Sequence, residues 1–296
     1  MSNITVVVIT HNRRHELLAS LASLRHLPER PPVIVVDNGS GDGTVPTVRA
    51  EASWAQVLPL GHNAGGAGRN AGVRLAQTPY VAFCDDDTRW SPGSLDAARR
   101  LMDESPRLAV VTARIVVEPD GVLDPVCADM ADSPLPTPLD SPGSPLMSFL
   151  AGASVVRRSA FLAAGGFEPY LLIGGEEELL ASRLADGGWA MSYAPELEIH
   201  HRASALRDPH LRRQQGIRNT LWYTWLRRPL RSALHRSFGL LCDVPRDRVT
   251  LSALSETVGS LAWVLGNRHS VSTDTEINLR MLDQQQLTSR SRRYVS

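Results

Sequence analysis

The sequence predicts an α/β fold with a mostly parallel central sheet flanked by helices, followed by a C-terminal helical extension. Short β-branched runs at residues 4–10 and 31–37 are typical of strands that are buried on both faces. Between them, leucines recur at helical spacing, and a strand, a helix and a strand within this length form a βαβ unit with parallel strands. From about residue 209 the chain is helical and rich in arginine.

The alternation of strand and helix continues through the first half of the chain. After the first strand we expect a helix capped by Asn12. The pattern then predicts a weak strand at 56–60, a helix at 67–77, a strand at 80–83, a helix at 94–104 and a strand at 108–118. Ligands of open α/β sheets bind where parallel strands end, and the polar residues of this sequence cluster at those points.

The second half is less regular. Six prolines fall in residues 124–145, which predicts a loop or flexible segment that orders over the site as a lid or acceptor wall. A helix follows at 176–188, and two short strands at 190–195 and 196–201. We therefore expect a catalytic domain at 1–205, with halves at 1–118 and 119–205, and a helical extension with a polar tail at 206–296.

Composition excludes several classes of function. All 31 basic residues are arginine, so the chain has no catalytic lysine, Schiff base or P-loop lysine. The formal net charge is zero, which argues against nucleic-acid binding. Three scattered cysteines favour neither a disulfide framework nor a zinc site. No apolar run approaches the ~18 residues of a membrane span, so we expect a cytoplasmic protein.

The strongest motif is the acid triplet Asp85, Asp86 and Asp87, directly after a buried strand. Adjacent carboxylates repel one another unless a cation lies among them. Hard oxygen ligands at this place suit Mg²⁺ or Mn²⁺, which often shares its coordination shell with phosphates. The alternative is a solvated turn that caps the following helix.

Two further segments follow strands. Asp37 ends the second strand and precedes a glycine turn, which is either an ordinary Asx turn or the nucleotide end of a cleft. The stretch "GGAGRNAG" contains G-x-G-x-x-A, but the dinucleotide fingerprint belongs in the first βα turn, which here has no glycine. A contact from Arg69 and the helix start to a diphosphate or ribose is the favoured interpretation.

Acids and histidines in the second half complete the candidates. "GGEEELL" opens a helix with Glu176, Glu177 and Glu178, which are either acids favoured by the helix dipole or a source of a general base. His200 and His201 follow in a strand-like stretch, and one of them is a candidate metal ligand.

Taken in order, these motifs resemble the inverting glycosyltransferases of family 2, which have the Rossmann-like GT-A fold. The resemblance rests on "VVVITHNR", "VIVVDNGSGDGT", "NAGGAGRNAG" with "PYVAFCDDDT", and "GGEEELLASRLADGGW", and covers roughly residues 1–205. It implies that residues 1–118 bind a nucleotide sugar and that residues 119–205 face the acceptor.

The resemblance also assigns roles. In such enzymes a divalent ion bridges the DxD motif and the donor diphosphate, which implies Asp85, Asp87 and His200 as ligands, with His201 as the alternative to His200. Glu177 corresponds to the catalytic base, with Glu176 or Glu178 as substitutes. The remaining implied contacts to the nucleotide sugar are Thr10, His11, Asn12, Asp37, Arg69, Asn70 and Asp86.

The predicted activity is metal-dependent, inverting transfer of a sugar from a UDP, dTDP or GDP donor to a hydroxyl acceptor, with a cell-envelope glycan or lipid-linked molecule among the candidates. The alternatives are a non-catalytic relative that still binds a nucleotide sugar, and a nucleotidyltransferase. Residues 209–241 mix arginine with tryptophan and leucine. They are interpreted as a helix packed over the acceptor side or into a homodimer, or as an amphipathic helix on the inner face of a membrane.

Overall fold

The computed structural model describes residues 2–137, 141–202 and 209–288. The strands in these residues are β1 (Ile4–Thr10), β2 (Val33–Asp37), β3 (Gln56–Pro59), β4 (Tyr80–Asp85), β5 (Thr88–Trp90), β6 (Leu108–Val117), β7 (Val122–Leu123), β8 (Ser144–Pro145), β9 (Ser154–Arg157) and β10 (Ala190–His201). They form one sheet in the order β3-β2-β1-β4-β9-β6-β10-β5, with β7 beside β6 and β8 beside β10.

Helices cover the sheet and continue beyond it. Those of the first 202 residues are α1 (Arg14–Arg25), α2 (Thr44–Glu51), α3 (Gly68–Leu75), α4 (Ser94–Glu104), α5 (Val126–Ala131), α6 (Arg158–Ala163) and α7 (Glu176–Asp186). The extension consists of α8 (Pro209–Arg227), α9 (Leu230–Asp243), α10 (Arg248–Gly259), α11 (Leu261–Gly266) and α12 (Thr273–Thr288). Short 3-10 helices lie at Gly65–Ala67, Ala151–Ala153 and Pro169–Leu171. The predicted α/β fold with a helical C-terminal region is confirmed.

The sheet is mostly parallel, and its register places the polar strand ends side by side. β1 pairs in parallel with β2 and β4, so that Thr10 lies opposite Asp37 and Ile9 opposite Asp85. β9 is antiparallel between β4 and β6, and β10 is parallel to β6. Because β1, β2 and β4 end at the same edge, the side chains that follow them share one cleft.

Three local predictions need correction. Asn12 does not cap α1: it has a left-handed φ of 53°, and its Oδ1 accepts the Gly41 N–H at 2.8 Å. The carboxylate of Asp42, in the neighbouring turn, accepts the Arg14 N–H at 3.1 Å. The helix start is therefore capped from the turn after β2, because the Asn12 carboxamide is already bound there.

The two strands predicted at 190–201 form one strand, β10. It keeps its pairing with β6 on both sides of an irregularity between Ala194 and Glu198. Pro195 lies within that irregularity, and a proline has no N–H to donate to the ladder. The proline therefore bulges the strand without ending it.

The segment 124–145 is more ordered than predicted. It contains α5 and β8, and β8 pairs with β10. The Gln285 amide of α12 donates to the carbonyls of Asp129 and Asp132, both at 3.1 Å. Residues 138–140 lie outside the described part, and closure of this segment over substrate remains a prediction.

The extension is joined to the preceding residues by an apolar cluster and by one of two polar clamps, and the other clamp lies within the extension. Trp222, Tyr223 and Leu226 of α8 are buried against Leu171, Leu179 and Val264. Arg228 is fully buried, with Glu276 at 2.7 Å and Asp283 at 2.7 Å. Burial of Trp222 and Leu226 favours the packed helix for α8. Among the described helices, none has the length and apolar composition needed to cross a bilayer.

The second clamp orients the segment that leads into α7. The Asn219 amide donates to the carbonyls of Leu171, Ile173 and Gly174 at 2.9, 3.0 and 2.6 Å. These carbonyls belong to the turn directly before the three glutamates. The extension therefore fixes the start of the acid-bearing helix.

Replacing Gly72 with alanine is expected to destabilise the fold. A Cβ at position 72 of α3 would lie 2.5 Å from Val7 Cγ1 of β1. Overpacking of this kind costs about 1–3 kcal/mol, which outweighs the gain of about 0.5–1 kcal/mol from exchanging glycine for alanine in a helix. Urea unfolding measures the difference.

Gly239→Ala in α9 is the matched control. A Cβ there has nothing within 4 Å, so only the helix-propensity gain remains and the variant is expected to be at least as stable as the parent protein. Equal effects of the two substitutions would contradict the assigned packing of α3 on the sheet.

Candidate active site

Two arginines lie among the three acids that follow β4. Arg13 Nη1 is 3.0 Å from Asp86 Oδ1 and 3.1 Å from Asp87 Oδ2. Asp85 pairs with the guanidinium of Arg69. The repulsion within the triplet is thus relieved in large part by the protein's own cations, so repulsion alone does not require a metal.

Asp86 points inward. Its second oxygen, Oδ2, accepts the Thr10 hydroxyl at 2.9 Å, and the residue is 6% exposed. Burial raises the pKa of Asp86 to about 6, against the opposing effects of Arg13 and Thr10. Both Asp86 oxygens are occupied within the protein. Thr10 and Asp86 therefore tie β1 to β4, and their assignment as direct contacts to the nucleotide sugar stays a prediction.

Arg69 is the central cation of the site and not an exposed phosphate contact. It is 5% exposed, and its guanidinium lies 5.8 Å from the Phe83 ring and 5.9 Å from the Phe167 ring. Burial opposes its charge, but Asp85, Glu177 and Glu176 together hold the pKa of Arg69 above its ordinary value. The expected contact from Arg69 to a diphosphate stays a prediction.

Glu176 and Glu177 open α7 beside this arginine. Glu176 is 4% exposed and its Oε2 has no hydrogen-bond partner in the described residues, whereas Glu177 is half-buried and accepts the Ala151 N–H at 3.5 Å. Burial, and then the charge of Glu177, raise the pKa of Glu176 to about 8. Burial also raises the pKa of Glu177, and Arg69 opposes that effect.

The third glutamate faces away. Glu178 Oε1 is 3.2 Å from Arg236 of α9, and its residue is buried. It joins the acid helix to the extension, and its predicted role as a substitute for the base stays a prediction. The "GGAGRNAG" segment supplies close packing: a Cβ on Gly66 would lie 2.4 Å from Glu176 Oε1.

The turns after β1 and β2 form the other wall of the cleft. Asp37 Oδ2 accepts the Ser40 N–H at 3.0 Å, while its buried Oδ1 has no hydrogen-bond partner in the described residues. His11 is exposed, with its Nδ1 2.9 Å from the Asn38 carbonyl. Asn12 binds the turn of Ser40 and Gly41. Asp37 and His11 therefore have groups available to a ligand.

Asn70 is a structural residue. Its Nδ2 donates to the Phe167 carbonyl at 2.8 Å and its Oδ1 accepts the Phe167 N–H at 2.9 Å. Asn70 is buried and both ends of its carboxamide are used. Its assignment as a contact to the donor stays a prediction.

The two histidines have different surroundings. His200 lies between Glu118 and Glu198, with nitrogen–oxygen distances of 3.4 and 3.1 Å. His201 Nε2 lies 3.8 Å from Asp87 Oδ1. Successive residues of a strand point to opposite faces, so only one of the two can face the triplet. The structure therefore favours His201 over His200.

The side chains near the acid triplet fit a divalent ion only if the substrate supplies further ligand atoms. No group of three histidine, cysteine, aspartate or glutamate side chains arranged for a metal occurs in residues 2–137, 141–202 and 209–288. The predicted set of Asp85, Asp87 and His200 is thus not brought together. Asp87 and His201 form a carboxylate–imidazole pair, which fits an ion that completes its shell with water and phosphate oxygens.

Sequence reasoning missed Arg13, Asn38 and Asn219. Arg13 directly follows the polar end of β1, so its place at the shared strand edge was a usable signal. Asn38 Nδ2 donates to the Gly65 carbonyl at 3.1 Å and so joins the two turns. The role of Asn219 depends on a contact across 45 residues or more, for which the local sequence gives no signal.

Comparisons with known proteins agree on one family. The family model described as "Glycosyl transferase family 2" matches residues 5–163. The N-acetylglucosaminyl-diphospho-decaprenol L-rhamnosyltransferase of Mycobacterium tuberculosis is 29% identical over 278 residues, which is 79% of this chain and 90% of the relative. The pre-mycofactocin glycosyltransferase of the same organism is 32% identical over 220 residues, 70% of this chain and 44% of the relative.

Solved structures share the fold. The mannosyltransferase PcManGT of Pyrobaculum calidifontis, in complex with GDP-Man and Mn²⁺, has a TM-score of 0.60 at 16% identity and covers 96% of this chain and 87% of its own. TarS of S. aureus has a TM-score of 0.58 at 18% identity, and the match covers 97% of this chain and 54% of the TarS chain. The predicted GT-A fold is confirmed.

Replacing Glu176 with glutamine is expected to change how stability depends on pH. The raised pKa of Glu176 means that the folded state keeps a proton that the unfolded state releases, so stability falls as pH rises from about 4.5 to about 8. The glutamine variant has no proton to release. Its melting temperature relative to the parent protein should therefore rise between pH 5 and pH 8.

Glu104→Gln, an exposed substitution at the end of α4, serves as the control for that series. A Glu176→Gln variant whose melting temperature stays parallel to that of the parent across the same range would show that Glu176 is not held in its protonated form.

Asn70→Ala tests whether Asn70 stabilises the fold or contacts the donor. The substitution leaves the buried N–H and carbonyl of Phe167 without their side-chain partner. Each lost hydrogen bond costs about 1–3 kcal/mol, so the free energy of unfolding should fall by about 2–4 kcal/mol. Chemical denaturation measures it, and Asn63→Ala, at an exposed turn, is the comparison. Weakened nucleotide binding without loss of stability would restore Asn70 as a ligand contact.

Proposed function

This chain belongs to glycosyl transferase family 2, and we propose that it is a metal-dependent, inverting enzyme that transfers a sugar from a nucleotide diphosphate sugar to an acceptor hydroxyl. The main support for this proposal is the position of Glu177 and Asp85. These residues are far apart in sequence but lie around the buried Arg69 at the edge where β4 ends. That arrangement puts a carboxylate with a raised pKa beside the strand ends at which α/β enzymes bind nucleotides.

Glu177 is the proposed general base. Its carboxylate takes the proton of the acceptor hydroxyl while the hydroxyl oxygen bonds to the anomeric carbon of the donor. The bond from that carbon to the diphosphate breaks, and the nucleoside diphosphate leaves with the electron pair. One displacement inverts the configuration. A pKa raised by burial makes Glu177 a stronger base than an exposed glutamate.

Glu176 is proposed to influence the protonation state of Glu177. At neutral pH the two neighbouring carboxyls compete for the single positive charge of Arg69, and the charge of Glu177 raises the pKa of Glu176. Glu176 in its protonated form leaves Glu177 as the ionised member of the pair. Both lie at the start of α7, where the helix dipole favours negative charge.

On the donor side, Asp37 and His11 are the proposed contacts to the nucleoside. The partnerless Asp37 Oδ1 suits a donor group of the base or ribose, and the exposed His11 ring offers a face for stacking. Asp87 and His201 would hold Mg²⁺ or Mn²⁺, which, when bound, would offset the charge of the leaving diphosphate. The Mn²⁺ in the mannosyltransferase neighbour supports this assignment.

The acceptor is proposed to be a sugar carried on a polyprenyl diphosphate. The support is the name of the rhamnosyltransferase relative, which this chain matches over 90% of that relative's length. Next to the turn before α7, Tyr170, Leu172, Trp222 and Ser260 line an open pocket of about 500 Å³. Aromatic walls with a few polar groups are suited to a sugar ring or an apolar chain.

Metal-dependent nucleotide binding tests the donor site. Calorimetric titration of UDP, dTDP and GDP, each with and without Mn²⁺, is expected to show one nucleotide that binds only with the metal. Asp87→Asn and His201→Ala should each weaken that binding at least about tenfold, because each removes one of two protein ligands.

His200→Ala and the exposed Asp96→Asn are the matched controls and should bind like the parent protein. Metal-independent binding that survives Asp87→Asn would contradict the metal assignment. Equal losses for the two histidine variants would contradict the choice of His201.

Glu177→Gln tests the base. Transfer to a short-chain polyprenyl diphosphate N-acetylglucosamine should fall by about 10²–10⁴-fold, the range that general bases contribute, while nucleotide affinity stays unchanged. Glu104→Gln should keep full activity. NMR of the product is expected to show inversion at the anomeric carbon. Turnover that is insensitive to Glu177→Gln would exclude it as the base.

A further inference from the structure

An unpartnered apolar stripe lies on the outer face of α9. Leu230, Leu234, Phe238 and Leu241 are 61, 59, 70 and 43% exposed. Their spacing of three or four residues places them on one side of the helix. The opposite side of α9 is packed, with Ser232, Ala233 and Leu240 buried. The helix thus belongs to the fold but leaves a second apolar face uncovered by the described chain.

Exposed apolar side chains concentrate in this part of the molecule. Of the 17 large apolar side chains that are exposed in the described residues, eight lie between Leu230 and Leu265, on α9, α10 and α11. Single exposed leucines need no explanation, but a stripe of four within twelve residues indicates an interaction surface.

The charge of the extension identifies the kind of partner. Residues 209–296 hold 14 arginines and 6 acids, a formal charge of +8, whereas residues 1–208 hold 17 arginines and 25 acids, a formal charge of −8. The chain is neutral as a whole and strongly polarised along its length. An apolar stripe on a cationic segment matches the boundary of a bilayer that contains anionic lipids.

The same charge argues against a second copy of the chain. A symmetric dimer through α9 would bring two cationic extensions together, which is unfavourable. Arg231, next to Leu230 on α9, and Arg248, at the start of α10, are both exposed. Anionic lipid headgroups instead pair with these guanidinium groups.

We propose that the outer face of α9 docks this enzyme on the surface of an anionic lipid bilayer, with Leu234 and Phe238 in the boundary between headgroups and acyl chains. This inference rests on the proposed function, because an acceptor carried on a polyprenyl chain is held in a bilayer. Arg236 of α9 contacts Glu178, the neighbour of Glu177 on α7, so the docked helix and the proposed base belong to elements that are packed together.

Flotation with lipid vesicles tests the proposal with the full chain. We expect binding to vesicles of equal parts phosphatidylglycerol and phosphatidylethanolamine, weakening with added salt, and little binding to phosphatidylcholine vesicles. The double variant Leu234→Ser, Phe238→Ser should lose about tenfold or more in partition, because burial of two large apolar side chains is removed.

The matched control is Val122→Ser, Leu123→Ser, which removes two side chains that are 55 and 53% exposed on β7. It should bind vesicles like the parent protein. Nucleotide binding and the circular dichroism of both double variants should be unchanged, so that loss of vesicle binding is separated from misfolding and from failure of the proposed catalytic function.

Cys242 allows an independent measurement. It is exposed and lies one helical turn from Phe238, whereas Cys84 and Cys127 are buried. An environment-sensitive dye on Cys242 should shift its emission to shorter wavelength with anionic vesicles but not with phosphatidylcholine vesicles.

Three results would overturn the proposal. The first is an absence of binding to anionic vesicles in both measurements. The second is equal loss of binding in the β7 control, which would show that the α9 stripe is not the docking face. The third is a concentration-dependent dimer by light scattering that the α9 variant abolishes, which would assign the stripe to a second copy.

Discussion

The buried guanidinium of Arg69 is the constraint on which the cleft depends. It pairs with Asp85 and lies in the field of Glu176 and Glu177. Two like charges 4 Å apart repel by about 4 kcal/mol at the effective dielectric near a protein surface, so these carboxylates could not gather without a cation. Arg69 is itself buried against aromatic rings, so it is equally dependent on the acids around it.

This mutual dependence joins elements that are distant in the chain. Arg69 belongs to α3, Asp85 to the end of β4, and the two glutamates to α7. Arg13 makes a similar bridge from the turn after β1 to Asp86 and Asp87. Each arginine neutralises acids on another element. The ion pairs can therefore form only when those elements are packed together. In the described residues, Asp37 Oδ1 and Glu176 Oε2 are buried and have no hydrogen-bond partner.

The described part of the extension contacts the segment that carries the three glutamates. Asn219 holds the turn before α7, Arg236 holds Glu178, and Leu171 and Leu179 pack on α8. These contacts set the direction of the acid helix. The same helices carry the cationic charge and the exposed stripe of α9, so the element that positions the base also presents the surface proposed to meet the lipid. Activity and localisation would then be linked through one rigid contact.

The sequence by itself determined the family and the parallel strands β1 to β4 with the edge that they share, because β-branched runs, helical spacing and polar strand ends are local signals. The roles of Asp37, Asp87 and Glu177 were predicted from local motifs and stay proposals. Only the tertiary structure decided what each polar residue binds. Asn70, Asp86 and Arg69 were predicted to contact donor, yet each is used within the fold, because a buried polar group must find a partner and that partner is set by packing between distant elements. The choice of His201 over His200 likewise depended on which face of β10 meets Asp87, and the bulge at Pro195 makes that face unreadable from alternation alone.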